Sequence, residues 1–386
     1  MSLTGPQGFR AAGVVAGLKS SGAPDLALVV NDGPRSAAAG VFTRNKVKAA
    51  PVLWSQQVLT SGALRAVVLN SGGANACTGP EGFQTAHATA ERAAELLGCG
   101  AVEVAICSTG LIGAQLPRDA VLAGVEKAHA GLGADEAAGT AAATAIMTTD
   151  TVAKQAGYTS EAGWGIGGTT KGAGMIAPSM ATMLSVLTTD ADLDAAALDT
   201  ALRAAVRVSF DRLDVDGSMS TNDTVLLLAS GASGVRPDPA EFTEALTLTC
   251  RSLARQMQAD AEGVTKRITV RVTGAASEDD AVVVARTVAR DSLVKTALFG
   301  SDANWGRIAA AVGYSDAAVD PDRLDIAVND VPLCTGGVAA GGRTSVDLSG
   351  AEIVVAIALG LGHGEGEILT TDLSHAYVEE NSAYPT

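Results

Sequence analysis

The sequence predicts an α/β protein, and two observations carry that prediction. Short apolar runs suited to strands recur through both halves of the 386 residues, and stripes of apolar residues at helical spacing lie among them. A third observation marks the middle of the chain. Six of the twelve residues at 163–174 are glycine, Pro178 follows, and an apolar run begins at once.

Strand-like runs come in order at residues 26–31, 65–70, 102–107, 182–187, 224–229, 268–273 and 352–359, each rich in Val, Ile or Leu. Residues 268–272 alternate cleanly, as a half-buried antiparallel strand does. Leu198, Leu202, Val206 and Phe210 recur at i+4 and form one helical stripe. Phe242, Leu246, Cys250, Leu253 and Met257 form a second, behind Asp238 as N-cap and Pro239 at the first helical position. Residues 158–174 read as a long glycine-rich connection. No internal repeat or low-complexity tail interrupts this pattern.

Composition bounds the function. The chain is 47% hydrophobic but only 3% aromatic, so its core is filled mainly by Ala, Val and Leu. A formal charge of −15 speaks against nucleic acid or an anionic membrane as partner. It also means that an acidic substrate would need local positive charge. Cys77, Cys99, Cys107, Cys250 and Cys334 form no CxxC pair and no metal spacing, which reads as reduced thiols in a cytoplasm. No signal peptide, membrane span or metal site is expected.

Thr182 is the candidate nucleophile. An Ala-Thr pair entering a strand is ordinary in itself. A threonine at that point gains a use if the preceding bond breaks, because its new α-amine can serve as base for its own hydroxyl. A free α-amine titrates at about pH 8, so an appreciable fraction is neutral at cytoplasmic pH. No G-x-S-x-G elbow is present, and His87, His129, His363 and His375 are scattered without motif context.

The block K-G-x-G-M-x-A-P-x-x-A-T-M-L, residues 171–184, resembles the self-cleavage segment of the ornithine acetyltransferases, or glutamate N-acetyltransferases. The resemblance extends through GVFTRNKVKAAPV (40–52), LNSGGANACTG (69–79), CSTGLIG (107–113), AIMTTD (145–150), QADAEGVTKR (258–267), LVKTALFGSDANWGR (293–307) and TTDLSHAYVEENSAY (370–384). It implies self-cleavage between Ala181 and Thr182 and an α/β sandwich of two intertwined chains, 1–181 and 182–386. Two copies of each would form a heterotetramer.

The same resemblance implies the site residues. Thr109 and Gly110, in the S-T-G-x-I-G motif after a strand-like run, form the oxyanion hole, where glycine allows close approach and a hydroxyl donates. Thr148, Lys171, Glu262, Asn381 and Thr386 contact substrate together with Thr182. Lys171 would meet the α-carboxylate and Glu262 the ornithine ammonium. Without the resemblance each reads as a solvated surface residue, and the last residues as a frayed tail. Pro385 precedes Thr386 here and puts its approach in doubt.

The implied reaction is ping-pong transfer of acetyl from N-acetylornithine to glutamate through an acetyl-Thr182 ester, without metal or organic cofactor. Acetyl-CoA as a second acetyl donor is left open by the sequence. One alternative is a self-cleaving amidase or aminopeptidase that releases its acyl group to water, and a more distant one is a scaffold with a dead site. Three further motifs are set aside. Residues 163–168 fit G-x-G-x-x-G, but a strand follows where a dinucleotide needs a helix. Asp214-Val215-Asp216-Gly217 lacks the ligand ladder of a calcium loop. Asn222-Asp223-Thr224 is a glycosylation sequon without secretory context.

Overall fold

The computed structural model describes residues 2–177 and 183–383, which fall into two compact units. The first takes residues up to 211 and 218–257. Its elements in chain order are β1 (Phe9–Val14), β2 (Leu26–Asn31), β3 (Ala37–Phe42), α1 (Ala50–Val58), β4 (Ala66–Asn70), α2 (Gly79–Leu97), β5 (Val104–Ser108), α3 (Arg118–Ala130) and α4 (Glu136–Ala145). Then come β6 (Lys154–Thr159), β7 (Gly165–Lys171), β8 (Leu184–Thr189), α5 (Ala195–Arg207), β9 (Thr224–Ala229) and α6 (Pro239–Ala259).

These strands make two sheets, β1-β2-β4-β5 and β3-β9-β8-β7-β6. Val29, Val67 and Ile106 of the first share one hydrophobic cluster with Leu184, Val186, Leu226 and Leu228 of the second. Helices α2 and α3 pack on the first sheet, and α5 on β3 and β9 of the second. This is the layered α/β arrangement expected. Leu198, Leu202 and Val206 are buried along α5, and Asp238 Oδ1 accepts from Ala240 N–H (2.9 Å) and Glu241 N–H (3.2 Å) at the start of α6.

The second unit takes residues 212–217 and 258–385. It contains β10 (Arg267–Ala275), α7 (Glu278–Arg290), α8 (Ser292–Phe299), α9 (Trp305–Gly313), β11 (Asp325–Val328), β12 (Val331–Thr335), β13 (Val338–Ala339), β14 (Glu352–Ala358), β15 (Gly364–Thr371) and α10 (His375–Ala383). The sheet runs β13-β12-β11-β14-β10-β15, with α7 against β10 and β15 and α9 against β11.

Three expectations are corrected. The glycine-rich stretch at 158–174 is mostly strand, because β7 runs through it between β6 and β8. Its glycines answer to space. A Cβ on Gly167 would come within 2.2 Å of Ser2 O, and one on Gly168 within 2.6 Å of Leu187 Cδ2. The strand after the proposed cleavage point starts at Leu184 and runs on through Thr188 and Thr189, whose hydroxyls donate to Leu3 O (2.8 Å) and Gly165 O (2.7 Å). Finally, β10 alternates in burial as predicted but is antiparallel only to β15, and pairs in parallel with β14.

Candidate active site

The site is built around a lysine that is not on the surface. Lys171 ends β7 and is 1% exposed. Its Nζ donates to Thr148 Oγ1 (2.7 Å) and to Thr109 Oγ1 (3.3 Å). Two residues expected at the site, 23 and 62 positions from Lys171 in sequence, thus converge on its ammonium. A buried ammonium needs a counter-charge, and Asp150 supplies it. Asp150 Oδ2 lies 4.0 Å from Lys171 Nζ, and Oδ1 accepts from Lys154 Nζ at 2.6 Å. Oδ1 also accepts from Gly172 N–H (2.7 Å) and Oδ2 from Thr148 N–H (3.0 Å).

Burial alone would raise the Asp150 pKa. The Lys171 and Lys154 charges, the Lys154 hydrogen bond and the Thr148 N–H outweigh it and hold the carboxyl down to about 2. Lys154 and Lys171 thus share the Asp150 carboxylate. Lys19 lies close by, between Asp25 and Asp150, with Nζ donating to Met147 O (2.7 Å) and Pro24 O (3.0 Å).

Thr109 follows β5 directly. Its own N–H is committed to Asn70 O (2.9 Å), while its Oγ1 accepts from Lys171 and so keeps its hydrogen to donate elsewhere. Gly110 has φ +128°, and a Cβ there would lie 2.8 Å from Gly73 N, so only glycine fits. Its N–H has no hydrogen-bond partner among the described residues. A hydroxyl and an amide that both lack an acceptor among the described residues are the donor set an oxyanion requires. Cys107, two residues before, offers no rival nucleophile, since burial pushes its thiol up to about 12.

In the second unit, Asn381 Nδ2 donates to Glu262 Oε2 (3.0 Å), and Glu262 is 7% exposed. The surroundings are acidic. Burial raises the Glu380 pKa, and the Glu262 and Asp260 charges raise it further. Burial likewise raises the Tyr377 hydroxyl, with Asp216 and Glu262 adding to it. This negative group suits a cation. Ala181, Thr182 and Thr386 lie outside the described residues.

Sequence comparison decides the family. The ArgJ family pattern matches residues 10–386. The chain belongs to the ArgJ family. The arginine biosynthesis bifunctional protein ArgJ of Mycolicibacterium paratuberculosis is 63% identical over 387 residues, covering 99% of this chain and 96% of that protein. The ArgJ of Streptomyces coelicolor is 59% identical over 384 residues, with all of both chains covered. Among solved structures, ornithine acetyltransferase complexed with ornithine from Mycobacterium tuberculosis is 62% identical. It covers 46% of this chain and 94% of that one, at a TM-score of 0.46.

ArgJ membership does not by itself name Asp150, Lys154, Asn222 or Asp223, and none of the four is singled out by a short motif. Asp150 does stand inside the AIMTTD stretch, so a signal is present for it. The sequon at residues 222–224 is not a surface feature, because Asn222 is 4% exposed and its Nδ2 donates to Ala74 O (2.6 Å) and Ser108 O (2.8 Å). Asp214, in the other motif set aside, lies against two arginines. It is met by Arg290 (2.7 Å) and Arg286 (3.6 Å).

Proposed function

We infer that the chain is an ornithine acetyltransferase of arginine biosynthesis, working through Thr182. The Thr182 hydroxyl attacks the acetyl carbonyl of N-acetylornithine. The Oγ–C bond forms, the C–N bond breaks, and the proton taken by the threonine α-amine passes to the departing ornithine nitrogen. Glutamate then enters, its amine takes the acetyl group from the ester, and N-acetylglutamate leaves. Thr109 Oγ1–H and Gly110 N–H stabilise the oxyanion in both halves. The α-carboxylate that both substrates carry meets Lys171 and Thr148, and the ornithine ammonium meets Glu262, with Asn381 and Thr386 completing the contacts.

The convergence of Thr109 and Thr148 on the buried Lys171 is the observation that carries this reading. The relatives are named bifunctional, which favours acetyl-CoA as a second acetyl donor for N-acetylglutamate synthesis. We further propose that residues 1–181 and 182–386 become separate chains and assemble two of each. In support, β8 pairs with β7 on one side and β9 on the other, so a cut before it leaves both pieces in one sheet. Buried, unbridged Cys107, Cys250 and Cys334 fit a reducing cytoplasm.

The assignment of Glu262 is tested by measuring the half-reactions separately. Glu262→Gln should slow acetyl transfer from N-acetylornithine about 10- to 100-fold, the value of one charge-assisted hydrogen bond, and spare transfer to glutamate. Equal losses in both halves would overturn it.

A further inference from the structure

Two adjacent side chains tie the strand that follows Thr182 to the loop that carries Thr109. Asp223 stands just before β9 and is fully buried. Its Oδ1 accepts from Met183 N–H at 3.1 Å, and Thr224 N–H donates to Met183 O at 3.2 Å. The Met183 nitrogen is bonded to the Thr182 carbonyl carbon, and a peptide group is planar. Holding that N–H therefore fixes the peptide nitrogen of Met183, the residue bonded to Thr182.

Asn222 does the same for the other half of the chemistry. Its Nδ2 donates to Ser108 O (2.8 Å), the carbonyl of the peptide group that leads into Thr109, and to Ala74 O (2.6 Å). That plane contains the Thr109 Cα. One backbone step thus separates the group gripping the nucleophile's peptide from the group gripping the oxyanion loop.

We propose that Asn222 and Asp223 form a positioning clamp that sets the threonine nucleophile against its oxyanion donors. The inference rests on Thr182 being the nucleophile. Neither side chain needs to touch substrate, and each acts through a peptide group.

The hydrogen-bond roles of the pair are opposite. Asn222 serves two carbonyl acceptors and must be a donor. Asp223 must be an acceptor, since its Oδ1 takes the Met183 N–H. Thr43 Oγ1, nearby, donates to Ser220 O (2.7 Å). Burial raises the Asp223 carboxyl well above the usual carboxylate range. The Met183 N–H, the Ser220 and Thr43 hydroxyls and the Lys171 charge oppose that rise without cancelling it. A carboxamide keeps the shape and one acceptor oxygen for the Met183 N–H, so Asn is a fair replacement at 223, whereas Asp at 222 would set a carboxylate oxygen against two carbonyl oxygens.

The test compares Asn222→Asp, Asp223→Asn and Asp223→Ala in the full chain. Self-cleavage at 181/182 is followed by intact mass, and kcat and KM for N-acetylornithine are measured on the cleaved fraction. Asp223→Asn should cleave and turn over within about threefold of wild type. Asp223→Ala and Asn222→Asp should lose about 100-fold in cleavage rate and kcat, the cost of a nucleophile misplaced by about 1 Å, with KM little changed.

Wild-type kcat in Asp223→Ala would overturn the clamp, and so would Asp223→Asn as slow as Asp223→Ala. A rise in KM at constant kcat would also overturn it. If Asn222→Asp does not fold, the comparison of the two Asp223 variants still decides. A wild-type chain that neither cleaves at 181/182 nor gains an acetyl group on Thr182 would instead remove the threonine reading itself.

Discussion

Asp150 holds two lysines where one would be costly. Its native pKa, about 2, lies below the ordinary 3.8 because Lys171 and Lys154 more than offset its burial. As pH falls, the unfolded chain takes up this proton first, and stability is lost between about pH 4 and pH 2. Above that window the ionised group contributes on the order of 2 kcal/mol. Asp150→Asn should therefore be clearly less stable than wild type at pH 6 in urea unfolding, and the gap should narrow toward pH 3. A gap independent of pH would mean that the carboxylate charge plays no part. Residue-by-residue resemblance singled out Thr109, Thr148 and Lys171, and the fold brings the three side chains together. It did not single out their supports, although Asp150 closes the AIMTTD stretch, because Asp150 and Lys154 act by burial and contact.

Strand β7 is where local reading failed most plainly. Glycine depresses strand propensity, so residues 165–171 read as a connection. The fold overrides this because backbone packs there too closely for side chains. Gly167→Ala would push a methyl to 2.2 Å from Ser2 O and force the chain aside. Overpacking of this kind costs about 1–3 kcal/mol, which urea or thermal unfolding would register. Unchanged stability would show that the approach of Ser2 to β7 is not a packing constraint. The strands rich in Leu and Val were readable to the residue, as at 26–31 and 224–229. Parallel pairing of β10 with β14 was not, because alternation reports which face is buried and says nothing of a neighbour's direction.

A chain of formal charge −15 keeps its positive charge where it can be used. Lys19, Lys154 and Lys171 gather in the first unit, and Asp216, Asp260, Glu262 and Glu380 in the second. The α/β class followed from periodicity, but the order of the sheets did not. The five-stranded sheet draws strands from both sides of the proposed cut, and only tertiary pairing reveals that. Motif reading also discarded residues 222–224 as a sequon, since their role depends on meeting residues 74, 108 and 183. The most direct test is an intact-mass spectrum of the purified protein before and after a brief pulse of N-acetylornithine, with Thr182→Ala beside it. Wild type should give two fragments meeting at 181/182, the C-terminal one gaining a single acetyl group, while Thr182→Ala stays whole and unmodified. An acetyl group on another residue, or Thr182→Ala still cut at that bond, would contradict the threonine mechanism.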